Sequence, residues 1–161
     1  MKKFLLLAGI SVLLFFSCAS SVGIVFDDSV PKEKSAEIFT YAGTITGYNG
    51  IAVSWKPSMS NMIQIPAGDT LFEFDVNAAY GNTIFKGSGI LFKYNFIPNK
   101  KYFLLFDRQH DEEANKNTYG LNVYTFEIGE KIPLSMKTLE NNFTAFVPFL
   151  NVSENQKTVL E

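Results

Sequence analysis

One cysteine, one histidine and one tryptophan are all that the 161 residues hold of those three types. A lone Cys excludes an internal disulfide framework, and a lone His excludes a polyhistidine metal site. An excess of positive charge is lacking too. Fourteen basic residues against 16 acidic ones give a formal net charge of −2, without the basic footprint that nucleic-acid binding needs. There is no internal repeat and no low-complexity tract. What the chain has in quantity is apolar and aromatic: 47% hydrophobic residues, 16 Phe and 7 Tyr. That composition excludes a disordered chain, and the length suits one domain that buries roughly 68–70% of its unfolded surface.

The N-terminus carries the sharpest signal. Lys2 and Lys3 precede an uncharged apolar run of 13 residues at 4–16. That run has the length of a signal-peptide core and falls short of the ~20 residues a spanning helix requires. No later stretch is both long and uncharged enough to cross a bilayer as a helix. The run ends at Ser17-Cys18-Ala19-Ser20-Ser21, so the only thiol stands at the junction.

Leu14-Phe15-Phe16-Ser17-Cys18 resembles the lipobox of bacterial lipoprotein precursors, in the relaxed form that spirochaetal lipoproteins tolerate. The resemblance implies cleavage before Cys18, a diacylglycerol on its sulfur and an acyl chain such as palmitate on the new amino group. Ser17 supplies the small residue such a cleavage site needs, while Phe15 and Phe16 depart from the usual pattern. The alternative is an ordinary signal cut after Ala19 or Ser21 with Cys18 incidental. Against it stands the absence of any other Cys in the next 143 residues. The expected organisation is a signal peptide at 1–17, a lipidated N-terminus and tether at 18–34, a folded domain at 35–152 and a C-terminal tail at 153–161. Cleavage removes Lys2 and Lys3, leaving 12 basic and 16 acidic residues and a formal charge of −4.

Beyond the tether the dominant period is two. Strands are expected near 35–41, 44–48, 51–56, 62–65, 70–77, 90–96, 102–107 and 120–127, with 143–152 able to close a sheet. Asn49-Gly50 is the strongest hairpin signal, and Pro31 and Pro66-Ala67-Gly68 mark turns. Gly87 and Gly89 mark a bulge or bend. The run YFLLFD at 102–107 lacks alternation and suits a central strand. A brief helical turn is compatible with 32–36, and no helix-length 3.6-residue pattern appears. The pattern predicts an all-β fold, an antiparallel β-sandwich of about seven to eight strands, with an up-and-down β-barrel as the alternative. Pro66-Ala67-Gly68 and Asn99-Lys100-Lys101-Tyr102 also resemble the turns of PEGA-like lipoprotein modules over roughly 40 residues. That resemblance implies architecture and carries no site.

Candidate chemistry is sparse. His110, Asp111, Glu112 and Glu113, with Asp107 nearby, form the densest ionisable group. Asp107, Asp111 and Glu113 are therefore the metal candidates. The spaced D-x-[DN]-x-[DN]-G calcium loop is missing, however, and a solvated hairpin tip explains the charges as well. No G-x-S-x-G elbow, phosphate loop or G-x-G-x-x-G is present. Glu73 and Asp75 share one strand face, on the solvent side of the alternation. Trp55, Tyr94, Tyr102, Tyr119 and Tyr124 could line a sugar or peptide surface, but a sandwich must fill two inner faces. Most are expected in the core, with Tyr119 and Tyr41, beside loops, as the exceptions.

These readings predict no catalytic residue, no cofactor, no nucleic-acid partner and an unknown ligand. The expected function is a lipid-anchored protein of the bacterial cell envelope with a non-enzymatic binding or structural module. Its expected partners are the membrane, through the lipid on Cys18, and a protein paired to an exposed sheet edge. The alternative functions are a lipocalin-like carrier of a small apolar ligand and an enzyme of unfamiliar type.

Overall fold

The structure is a computed structural model that describes residues 30–53, 62–80, 83–133, 135–152 and 157–159. A short 3-10 turn, Lys32–Lys34, leads into β1 (Ser35–Tyr41), β2 (Gly43–Tyr48), β3 (Ile51–Ala52), β4 (Met62–Pro66) and β5 (Gly68–Tyr80). Then follow β6 (Thr83–Phe96), β7 (Lys100–Asp111), β8 (Lys116–Glu127), α1 (Met136–Asn141), β9 (Phe143–Pro148) and β10 (Lys157–Val159). Two five-stranded sheets result. Sheet I has the order β4-β1-β7-β8-β9 and sheet II the order β10-β6-β5-β2-β3. The fold is an all-β sandwich, as the alternation predicted, and the sheets do not close into the alternative barrel.

The strands obey their residues. Asn49 and Gly50 both take positive φ, 48° and 79°, which a two-residue type I′ hairpin between β2 and β3 requires. The 54–56 part of that arm, Trp55 included, lies outside the described residues. In β5, Phe72, Phe74 and Val76 point inward, while Glu73 is exposed. Phe92 stacks on Phe72 with ring centroids 5.1 Å apart, and Phe96 meets Tyr102 edge-on at 4.8 Å. Phe85 stacks on Tyr119 at 4.7 Å. Each such side chain, taken fully from water, contributes on the order of 1.5–3 kcal/mol. These rings fill the space between the sheets where a lipocalin-like carrier would need a cavity.

Chain crossings between the sheets are pinned individually. At the β1–β2 corner Ala42 adopts a positive φ of 62°. The Thr40 hydroxyl donates to the Gly43 carbonyl at 2.8 Å, and the Asn77 amide donates to the Ala42 carbonyl at 3.1 Å. At the β6–β7 crossing the Ile97 amide donates to the buried Tyr102 hydroxyl at 2.8 Å. One pairing departs from the antiparallel expectation: β1 runs parallel to β7, because the chain visits sheet II between them. The Asn99 amide donates to the Ser35 carbonyl at 2.8 Å and aligns the starts of those two strands.

Several expectations need correction. Among the described residues there are ten strands against about seven to eight expected, β10 being the added one. β6 is longer than expected, since it starts at Thr83 and continues through its glycine bulge, where the register shifts between Phe74 and Val76. The 109–117 stretch is not a loop; β7 and β8 pair out to Asp111 and Lys116, leaving a four-residue tip. The 128–142 stretch contains α1. Within the expected tail, Lys157–Val159 pairs with β6. Just before it, the Phe149 amide donates to the Tyr119 carbonyl and the Leu150 amide to the Leu91 carbonyl, stitching sheet I to sheet II. Asn151 completes the seam by accepting from the Leu91 amide and donating to the Gly89 carbonyl. Among the described residues no helix is long and apolar enough to cross a membrane.

Close packing at β9 is testable at Gly120. A Cβ there would lie 2.3 Å from the Val147 carbonyl oxygen and 2.9 Å from the Pro148 Cα. Backbone cannot yield as a side chain can. Gly120→Ala is expected to destabilise the fold by about 1–3 kcal/mol, read as a lower urea midpoint with unchanged m-value. An unchanged midpoint would mean that β9 is not held where it is described.

Candidate functional site

Sheet I is buried on both faces, and the site lies where its outer cover stops. Along β7 the side chains of Tyr102, Leu104 and Phe106 enter the core between the sheets, while Phe103 and Leu105 turn to the outer face. There Phe103, Tyr124 and Phe126 pack with Leu139 of α1 in a second apolar cluster, bordered by Phe39 and Ile132. A helix of six residues rises only about 9 Å, so it covers part of one face. The next rung outward is Tyr41, Leu105 and Asn122, cross-paired along β1, β7 and β8, and beyond it stands Asp107.

The uncovered rungs floor a cleft of about 680 Å³. Tyr41 and Ala42 form one wall, Ala78 and Ala79 of β5 another, and Met136 at the start of α1 a third. That volume lies within the ~300–1,000 Å³ range of small-molecule sites. Three polar side chains meet on the floor. The Asn122 amide donates to Asp107 Oδ2 at 2.6 Å, and Asn122 also hydrogen-bonds Tyr124. Asp107 Oδ1 accepts from the Arg108 backbone amide at 2.7 Å. Burial holds the Tyr124 hydroxyl above its ordinary pKa near 10; the Asn122 hydrogen bond opposes that, and the Asp107 and Glu140 carboxylates add to it. Tyr124 therefore stays a neutral hydroxyl across the physiological range.

Other expected residues separate. Asp111 accepts the Glu113 and Ala114 amides, both at 3.0 Å, and so caps the hairpin tip. His110 bonds Asn117 across the hairpin at 2.9 Å. Asp107 lies four residues from Asp111 along one strand, roughly 13 Å away. The proposed set does not converge, and among the described residues no three His, Cys, Asp or Glu side chains form a metal-sized group. Asp75 accepts the Gly89 amide at 2.9 Å and fixes the β6 bulge. Of the tyrosines, Tyr102 and Tyr124 are buried. Tyr41 is 58% exposed, as expected beside a loop, but Tyr119 is only 7% exposed, because β8 begins earlier than the loop reading placed it. Cys18 lies outside the described residues.

Sequence reasoning missed the cleft. Asn122 and Met136 carry no local motif, and the residues Asp107 meets in space are not its acidic sequence neighbours. A usable signal existed: Asn122 interrupts the outward face of a strand that otherwise presents Tyr124 and Phe126. Comparison of the chain with known protein families, curated proteins and solved structures finds no match in any of the three.

Burial also holds Tyr102 above its ordinary value, against the Ile97 amide and with a smaller push from Tyr94. Below pH ~10 both hydroxyls are protonated in the folded and unfolded chain, and their contribution to stability is fully present. Above it the unfolded chain loses these protons first, so stability falls as pH rises through the raised folded values. Phenolate absorbance should show two tyrosines titrating after the others, and Tyr124→Phe should make the alkaline loss of stability less steep. Tyrosines that all ionise together in the folded protein would contradict this placement.

Proposed function

We propose that the protein is a lipid-anchored component of a bacterial cell envelope whose β-sandwich is a non-enzymatic binding module. The observation that carries the anchor is the position of the chain's one cysteine. Cys18 directly ends an uncharged run of signal-peptide length and follows the small Ser17. A thiol is the nucleophile that diacylglycerol transfer requires. Each buried methylene contributes ~0.8 kcal/mol, and one acyl chain alone holds a protein only marginally. The two or three chains of a lipoprotein make a stable attachment. A chain with a formal charge of −4 after cleavage gains nothing from an anionic leaflet, so the lipid itself must hold it there.

The binding role is supported by the cleft on sheet I. It combines apolar walls with a few convergent polar groups, the usual make-up of a small-ligand site. On its floor the Asp107 carboxylate is held by the Asn122 amide and a backbone amide, an arrangement that suits a fixed binding group.

Metabolic labelling with radioactive palmitate tests the anchor. The wild-type protein should be labelled and should partition into detergent, and Cys18→Ala should be unlabelled and accumulate as precursor. An unlabelled mature wild type, or label persisting in Cys18→Ala, would remove the lipoprotein reading.

A further inference from the structure

The charge pattern of the cleft narrows its ligand further. Among the described residues Asp107 is the one charged side chain lining it, and no Lys, Arg or His of those residues joins the lining. Among the described residues the ion pairs are Lys100 with Glu127 and Lys101 with Glu37. Asp107 has no cationic partner among those residues. Asp107 is half-buried, and its carboxylate is the charged group an incoming cation would meet on the cleft floor. The Glu140 carboxylate, like that of Asp107, acts on the Tyr124 hydroxyl.

Hydrogen-bonding capacity points the same way. Asn122 gives one of its two amide hydrogens to Asp107, and the remaining lone pairs of that carboxylate are acceptors open to a cationic donor. Tyr41 adds an exposed aromatic ring at the mouth, opposite Met136, which is 60% exposed. Carboxylate, phenol ring and thioether together suit a cation carried on an apolar stem.

We propose that the cleft floored by Asp107 and Asn122 and walled by Tyr41 and Met136 binds an organic cation. The chemical class is an alkylammonium or alkylguanidinium group, such as a basic amino-acid side chain. The cation pairs with Asp107 and its stem lies along Leu105, Ala78 and Ala79. This inference rests on the reading of the cleft as the module's binding site, and it is independent of the lipid on Cys18.

The test is titration of the protein with arginine methyl ester, followed by calorimetry or NMR. Two neutral probes run beside it: citrulline methyl ester, which keeps the shape without the charge, and methyl glucoside, a polyol. Arginine methyl ester should bind with an affinity of about millimolar, as expected for a small ligand, and weaken as salt is raised. Asp107→Asn, which keeps an acceptor for Asn122, should lower that affinity by about tenfold or more. Tyr41→Ala, at an exposed position, should lower it several-fold with an unchanged thermal midpoint. Equal binding of the citrulline ester by wild type would overturn the proposal without needing any variant to fold. Binding of methyl glucoside in place of the cation would also overturn it, while keeping the cleft as a binding site. No binding of any probe would remove both the cation and the site, and would leave the palmitate result untouched.

Discussion

Sheet I carries buried apolar side chains on both faces, and the helix that covers part of its outer face has six residues. Most of the molecule's character follows from that constraint. The inner face is covered by sheet II, as in any sandwich. Among the described residues the outer face is covered by α1, by Ile132 in the segment leading into it and by Phe143 of β9. Where Leu139 reaches, the strands are apolar on both sides: Phe103, Tyr124 and Phe126 face the helix while Tyr102, Leu104 and Val123 face the core. Where Leu139 does not reach, the same face turns polar at Asn122 and Asp107, and a cleft opens. The site is thus the uncovered remainder of a sheet whose cover is too short.

The seam at the other edge follows a similar logic. A sandwich leaves four strand edges, and exposed edges invite pairing with other chains. Here the chain after β9 leaves sheet I, sinks Phe149 among Phe74, Phe85 and Phe106, and runs on to β6. Asn151 then bonds the backbone of β6 beside the glycine bulge, and β10 pairs with its first residues. One segment therefore plugs the core between the sheets and covers the edge of sheet II. A partner docked by edge pairing would find β6 already occupied, and would meet β4, β9, β10 or β3 instead.

Legibility in the sequence tracked how local each cause was. Asn49-Gly50 fixes its own turn, and Phe72, Phe74 and Val76 announce a buried face by alternation alone. The run at 102–107 was readable as central because burial on both faces removes alternation. α1 was not readable: six residues with Leu139 as their one buried position give no 3.6-residue pattern to detect. β10 escaped because a three-residue strand owes its existence to the partner it pairs with. The cleft escaped for the same reason at a larger scale. Tyr41, Asp107, Asn122 and Met136 meet only through the parallel pairing of β1 with β7 and the return of the chain over sheet I. The acidic run at 110–113 drew attention because its members are adjacent, yet the structure uses Asp111 to cap a turn.

The direction of β1 connects the proposed anchor to the proposed ligand site. The tether enters β1 at Ser35, beside Pro66 and close to Asn99, and the strand ends at Tyr41, on the wall of the cleft. Six strand steps separate those ends by about 20 Å, so entry point and site sit toward opposite ends of the same strand. With Cys18 lipidated, the end of the sandwich nearest the tether carries Lys34, Lys100 and Lys101, the two latter paired with Glu127 and Glu37. The cleft lies at the far end, away from the tether's entry. Entry of the chain into the sheet and the cleft are thus separated by the length of one strand, so a change at Ser35 and a change at Tyr41 act on different ends of β1.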